Sequence, residues 1–259
     1  MSTTTTPRSE GIADCSDDAL LGGRVRILQP ARGYRVAVDA VLLAAAVPLA
    51  PNARILDVGC GVGAASLCLL ARAAAAGLAG VRTIGLEVQP RYAALARCNA
   101  ARNGAAATFE VIDGDVAMPP ALDAVDHVMT NPPYLPASRA DPSPDPGKAL
   151  ATVESTADLP AWLTFCLSVL RPGGTLSVVH RADRLAELID RLRPHAADLV
   201  VQPLLPRAGA AAKRVIARAR TGTGGGVRTL PGLVLHQAGG GYTPEVDTIL
   251  RAAASLNID

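Results

Sequence analysis

The segment Leu56-Asp57-Val58-Gly59-Cys60-Gly61-Val62-Gly63 constrains the fold of this chain more than any other. The apolar pair Ile55-Leu56 leads into glycines at every second position, and the Ala/Leu-rich run from Ala64 to Ala76 predicts a helix directly after them. Glycines let the backbone turn sharply and approach a ligand closely, while the helix presents its unpaired N–H groups at the turn. Strand, glycine turn and helix in that order belong to an open α/β sheet, whose ligands lie outside the carboxyl ends of the strands. The spacing is G-x-G-x-G, which departs from the G-x-G-x-x-G of dinucleotide sites and disfavours a nicotinamide or flavin oxidoreductase. Asp57 is a poor neighbour for a pyrophosphate and a good one for the ammonium group of an amino-acid moiety.

Two more acids follow in register with successive strands. Val81 to Leu86 predicts a second strand with Glu87 at its carboxyl end, where a carboxylate accepts hydrogen bonds from both ribose hydroxyls. Phe109 to Ile112 predicts a third, ending in Asp113-Gly114-Asp115, and an acid there can receive an adenine amine; Asp115 has the better offset. Any one of these acids reads equally well as a solvated loop residue. Together with Gly59, Cys60, Gly61 and Gly63 they favour S-adenosylmethionine as the ligand.

Val125 to Met129 predicts a buried strand that runs into Asn131-Pro132-Pro133-Tyr134. Consecutive prolines have no N–H for a strand ladder, so they hold an extended backbone whose carbonyls stay free. An amide oxygen, a free carbonyl and a flat ring suit a planar amino group, with acceptors for its hydrogens and a surface for its π-face.

The order of glycine loop, strand-end Glu, strand-end Asp and Asn-Pro-Pro-Tyr resembles the class I S-adenosylmethionine-dependent methyltransferases that act on amino nitrogens. A closer similarity begins at Leu21-Gly22-Gly23-Arg24-Val25-Arg26-Ile27-Leu28-Gln29-Pro30 and Gly33-Tyr34-Arg35-Val36-Ala37-Val38-Asp39-Ala40-Val41-Leu42-Leu43-Ala44. It continues through Lys148 to Glu154, Arg171-Pro172-Gly173-Gly174 and Leu230-Pro231-Gly232-Leu233-Val234-Leu235-His236, covering roughly residues 20 to 250. These stretches resemble the bacterial tRNA(Val) adenine-N6 methyltransferase family. The resemblance implies a Rossmann-like class I fold, an adenosine beside the anticodon as substrate, and Asn131, Pro132, Pro133 and Tyr134 as the catalytic set. It also implies that Asp39 lies over the cofactor. The proline-rich Asp141-Pro142-Ser143-Pro144-Asp145-Pro146 departs from the family pattern and bears on substrate entry.

The expected architecture is a mostly parallel seven-stranded sheet with helices on both faces. An antiparallel C-terminal hairpin, Leu199 to Leu204 with Arg214 to Ala219, closes it. Residues 1–19 are expected to be a disordered tail, and 20–259 one domain with a substrate and cofactor segment at 20–50. Five cysteines without a CxxC pair read as reduced thiols and give no metal spacing, and the four histidines show none either. With no signal peptide and no uninterrupted membrane-length run, the expectation is a cytoplasmic enzyme with no membrane contact.

A net charge of +2 does not by itself indicate nucleic acid, so distribution decides. Arginine carries nearly all the positive charge. Arg24, Arg35, Arg181, Arg184, Lys213 and Arg214 are the candidate RNA contacts, although arginine richness reads equally as a compositional effect of the genome. The expected function is N6-methylation of an adenosine in RNA, with tRNA as the leading candidate. Methylation of a protein glutamine amide is the first rival, disfavoured by the short stretch before the glycine loop. A non-catalytic RNA-binding module on the same scaffold is the second, disfavoured by the intact acids.

Overall fold

A computed structural model describes residues 14–32, 35–136, 153–154 and 157–258. The proline-rich stretch 141–146, most of the similarity at 148–154, and Gly33 and Tyr34 lie outside the described residues.

A hairpin of β1 (Cys15–Leu20) and β2 (Val25–Pro30) comes first, antiparallel from Cys15 opposite Pro30 to Leu20 opposite Val25. The tail expected over residues 1–19 is therefore corrected at its inner end. The acidic Cys15–Leu20 segment forms a strand because its charges are matched: Asp17 pairs with Arg26 and Arg102, and Asp18 with Arg35. Val25 and Ile27 on the partner strand are fully buried. Residues 1–13 lie outside the described residues.

The elements that follow are α1 (Val38–Ala46), β3 (Arg54–Val58), α2 (Ala64–Ala75), β4 (Arg82–Glu87), α3 (Pro90–Arg102), β5 (Phe109–Asp113) and β6 (Val125–Thr130). A short parallel pair, β7 (Leu135–Pro136) and β8 (Val153–Glu154), precedes α4 (Leu159–Ser168) and β9 (Leu170–Arg181). Then come α5 (Leu185–Leu192), β10 (Ala196–Arg207), β11 (Arg214–Thr221), β12 (Val227–Thr229), β13 (Leu233–His236) and α6 (Pro244–Ala252).

Seven strands form the body of the sheet in the order β5-β4-β3-β6-β9-β11-β10, parallel except for β11, which is antiparallel to both neighbours. The expected hairpin is β10–β11, paired from Ala196 opposite Thr221 to Leu204 opposite Arg214. Among the described residues the sheet has nine strands, not seven, because β12 and β13 add in parallel to the outer edge of β10.

Side chains alternate between two apolar layers, as a sheet covered on both faces requires. On β3, Ile55 joins the layer under α1, α2 and α3, while Leu56 and Val58 join the layer under α4 and α5. Asp57 therefore points to the α2 side, where Ser66 donates to its Oδ2 at 2.8 Å. With few aromatics available, Ala, Leu and Val fill both layers, and α1 buries Val41 through Ala46 without a gap.

Two buried polar side chains lock the layers. Asn99 on α3 accepts from Leu28 N at 2.7 Å and donates to the carbonyls of Leu28 and Val62, tying β2 to the glycine loop. Arg72 on α2 donates to Ala44 O and, at 2.9 Å, to Ser255 Oγ. Burial pushes its guanidinium down to about 10. The residues after α6 pack back on α1, with Leu256 N donating to Ala45 O at 2.9 Å and Ile258 fully buried. At the other end, Arg24 donates to Arg251 O at 2.6 Å. Arg72→Ala leaves a cavity and removes a donor from the end of α1, so urea unfolding is expected to show a loss of about 2–4 kcal/mol. A midpoint equal to that of the native chain would deny Arg72 this role.

Candidate active site

The strand order reverses between β4–β3 and β6, and the crevice at that switch point is where an open α/β sheet takes its ligand. The loop from Gly59 to Gly63 fills the turn between β3 and α2. Gly59 N and Cys60 N both donate to Leu86 O, at 2.8 and 3.1 Å, and Gly61 N donates to Glu87 Oε2 at 2.9 Å. Gly59 has φ +72° and a Cβ there would lie 3.1 Å from the Trp162 ring. Gly63 has φ +82° and a Cβ there would meet Phe109 at 2.6 Å. Both positions therefore demand glycine for conformation and for space.

A cleft of about 1040 Å³ of empty space, open to solvent, lies over this loop. Asp57, Gly59, Cys60, Gly61, Glu87, Asp115, Asn131 and Pro133 all line it, so one site gathers most of the residues singled out from sequence. Asp57 is buried and its carboxyl is pushed up to about 7, chiefly by desolvation and against the Ser66 hydrogen bond. Burial also raises Glu87, although Gly61 N and Gln89 N each donate to its carboxylate at 2.9 Å. Asp115 faces the cleft, whereas Asp113 pairs outward with Arg97. Cys60 is a filler: its Sγ would lie 2.6 Å from a Cβ on Gly85, and burial lifts its thiol well above the ordinary range.

Gly63 and Asp39 stand at the margin of the expected cofactor set. Gly63 lies behind the loop against Phe109 and does not line the cleft. Asp39 does not line it either. It stands 3.5 Å from the Tyr134 hydroxyl and 3.5 Å from Arg214 Nε, because α1 presents it to the end of β11. Burial raises its carboxyl against the pull of Arg214.

The Asn-Pro-Pro-Tyr segment leaves β6 at the cleft rim. Pro132 is buried, and Tyr134 reaches back so that its hydroxyl donates to Asn131 Oδ1. The Arg214 guanidinium lies 4.6 Å from the Tyr134 ring centroid, and His180 meets the ring edge-to-face at 5.5 Å. Arg214 thus covers one face of the Tyr134 ring. His180 is fully buried, and burial takes its imidazole down to about 4, in keeping with a packed neutral ring.

The basic candidates divide. Arg181, Arg184, Lys213 and Arg214 collect at the carboxyl edge of the sheet beside Tyr134, with Arg181 opposite Arg214 in register. Arg181 and Arg184 are held by Asp183 and Glu187, while Lys213 is exposed. Arg35 is paired with Asp18, and Arg24 sits at the far turn of the β1–β2 hairpin, donating to backbone carbonyls. Arg24, held at Arg251, thus stands apart from the four beside Tyr134.

Residues not anticipated from sequence complete the wall: Trp162, Val36, Gln89, Tyr92 and Val116. Trp162 Nε1 donates to Thr130 Oγ1 at 2.9 Å, and Thr130 in turn donates to Val58 O at 2.8 Å. Its being the sole tryptophan of the chain was the one available signal.

A family model described as "Methyltransferase small domain" matches residues 35–143. A tRNA1(Val) (adenine(37)-N6)-methyltransferase of Porphyromonas gingivalis is 30% identical over 64% of this chain and 66% of its own length. One of Aeromonas hydrophila, with the same name, is 30% identical over 81% of this chain and 85% of its own. The chain belongs to the tRNA1(Val) (adenine(37)-N6)-methyltransferase family. A release factor glutamine methyltransferase of Mycolicibacterium smegmatis is 36% identical, but over only 53% of this methyltransferase and 49% of itself. Among solved structures, a predicted O-methyltransferase of Agrobacterium tumefaciens superposes with a TM-score of 0.67 at 26% identity, over 84% of this chain and 98% of that one. The fold is that of a class I methyltransferase, and the cleft residues fit S-adenosyl-L-methionine: acids at three strand ends, a glycine loop and an apolar wall of Val, Leu and Trp. Among the described residues, no helix is long and apolar enough to cross a membrane.

Proposed function

We propose that this protein transfers a methyl group to N6 of an adenosine in RNA, in tRNA beside the anticodon, with S-adenosyl-L-methionine as donor. The observation that carries the reading is that Asn131 and Pro133 line the same cleft as Asp57, Glu87 and Asp115. The donor's chemistry is a sulfonium methyl open to in-line attack. In this reading Asp57 would hold the donor's ammonium group, Glu87 its ribose hydroxyls and Asp115 its adenine amine. Gly59, Cys60 and Gly61, which line the cleft, would let it approach the backbone closely.

The substrate nitrogen is a weak nucleophile because its lone pair is delocalised into the ring. Asn131 Oδ1 and the Pro132 carbonyl hold its hydrogens as it moves toward tetrahedral geometry, and Tyr134 stacks on the base. A proton leaves N6 after attack, so no strong base is needed. An anticodon-loop adenosine is single-stranded and can be splayed out at modest cost. Such a substrate places the enzyme in the cytoplasm.

The experiment supplies labelled S-adenosyl-L-methionine with unmodified total tRNA, total rRNA or a protein extract, and identifies the methylated product. N6-methyladenosine in tRNA is the expected result. Methylglutamine in protein with unlabelled RNA would transfer the assignment to a glutamine methyltransferase.

The raised Asp57 carboxyl gives a pH signature. A group near pKa 7 that must ionise to meet an ammonium group loses occupancy as pH falls, so S-adenosylhomocysteine should bind about tenfold more weakly at pH 6 than at pH 8. The sign for the unliganded fold is opposite: stability from the retained proton is complete below about 4 and is lost as pH rises through 7. Titration calorimetry across that range checks the affinity, and Asp57→Asn should flatten the profile.

A further inference from the structure

Tyr134 is occupied by its own chain. The Arg214 guanidinium, flat and delocalised, lies 4.6 Å from the ring centroid, at the separation of a stacked base. Arg214 is held by single-pronged contacts: Nε forms an ion pair with Asp39 Oδ2 at 3.5 Å, and Nη1 donates to Lys213 O at 3.2 Å. Its neighbours Arg181 and Arg184 are by contrast tied to acids on their own segment by two-pronged contacts. Beside it, Lys213 projects to solvent at the same strand end.

From this arrangement we infer that Arg214 is a stand-in for the substrate base. Its guanidinium covers the stacking face of Tyr134 until an extruded nucleotide displaces it, and then pairs with that nucleotide's phosphate. This rests on the adenine-methylation reading above and gives it an entry step. A base stacking on that face has to move the guanidinium, and the released fork matches phosphate oxygens. Loss of the ring contact is offset only by a ligand that carries both a base and a phosphate. A free nucleoside therefore meets a closed ring, and a nucleotide within a strand opens it. Arg214 is a positioning residue that selects for phosphate-bearing substrate without touching the transferred methyl.

The test titrates adenosine and adenosine 5′-monophosphate into the full chain saturated with S-adenosylhomocysteine, so that the donor's adenine position is filled. The native protein should prefer the monophosphate by about tenfold, the scale of one charge-assisted contact. Arg214→Gln should bind adenosine about threefold more tightly, the ring face being uncovered, and lose the preference for the monophosphate. Arg214→Lys, which keeps the charge without the flat fork, should bind adenosine as Arg214→Gln does and retain part of the preference. Unchanged adenosine affinity and a retained preference in folded Arg214→Gln, with native KM for RNA, would overturn the exchange while leaving the substrate reading intact. Absence of N6-methyladenosine from RNA incubated with the native enzyme overturns the substrate reading itself, and the exchange with it.

Discussion

Asn131→Ala is expected to lower turnover by about 10²–10³ with little change in affinity for S-adenosyl-L-methionine, the scale seen when one preorganised polar contact to a transition state is removed. Asn131 stands at the cleft rim, one residue beyond β6, and its Oδ1 is already oriented by the Tyr134 hydroxyl. Alanine removes the acceptor and leaves Tyr134 without that partner. Backbone position does not change, because Pro132 and Pro133 set it. Single-turnover kinetics with saturating RNA separate the chemical step from binding, and calorimetry with S-adenosylhomocysteine reads the donor site alone. Asn131→Asp keeps side-chain acceptors and should retain more turnover than alanine. Native turnover in Asn131→Ala would remove this residue from the reacting centre.

The second large effect is expected at Glu87. Its carboxylate takes two backbone donors at 2.9 Å, Gly61 N from the glycine loop and Gln89 N from the start of α3. It thus shapes the cleft wall while presenting acceptors to it. Glu87→Ala strips both functions, so the dissociation constant for S-adenosylhomocysteine should rise by about 10- to 100-fold, equivalent to one or two charged hydrogen bonds. Glu87→Gln retains one acceptor oxygen and should fall between. An unchanged constant in Glu87→Ala, with the protein folded, would take the residue out of donor binding.

Most of the fold was legible because the chain states it locally. Apolar runs end in an acid or in Asn-Pro-Pro-Tyr, and each of β3, β4, β5 and β6 lies where such a run predicts it. The strand-end acids were legible for the same reason: a residue's place at a strand terminus follows from the strand itself. What escaped were pairings between distant segments. Nothing local marks Cys15–Leu20 as a strand, since its acids are neutralised by Arg35 and Arg102 from elsewhere in the chain. The short β12 has three exposed residues and exists only because β10 offers an edge. The resemblance alone links Asp39 to the cofactor, while its partners Tyr134 and Arg214 come from remote parts of the sequence. Asn99, fully buried between β2 and the glycine loop, reads in isolation as an ordinary helix residue.

The brace on α1 also sets a schedule for biosynthesis. Residues from α6 to Ile258 lie far downstream of the glycine loop in sequence, yet they close over the helix that carries Asp39, through Leu256 on Ala45 and Ser255 on Arg72. A nascent chain can assemble β3 to β6 and the glycine loop long before those residues emerge, since domains fold progressively during synthesis. The helix that carries Asp39 gains its brace only once those downstream residues have emerged. The donor cleft can thus take shape before the helix beside the substrate entrance is braced.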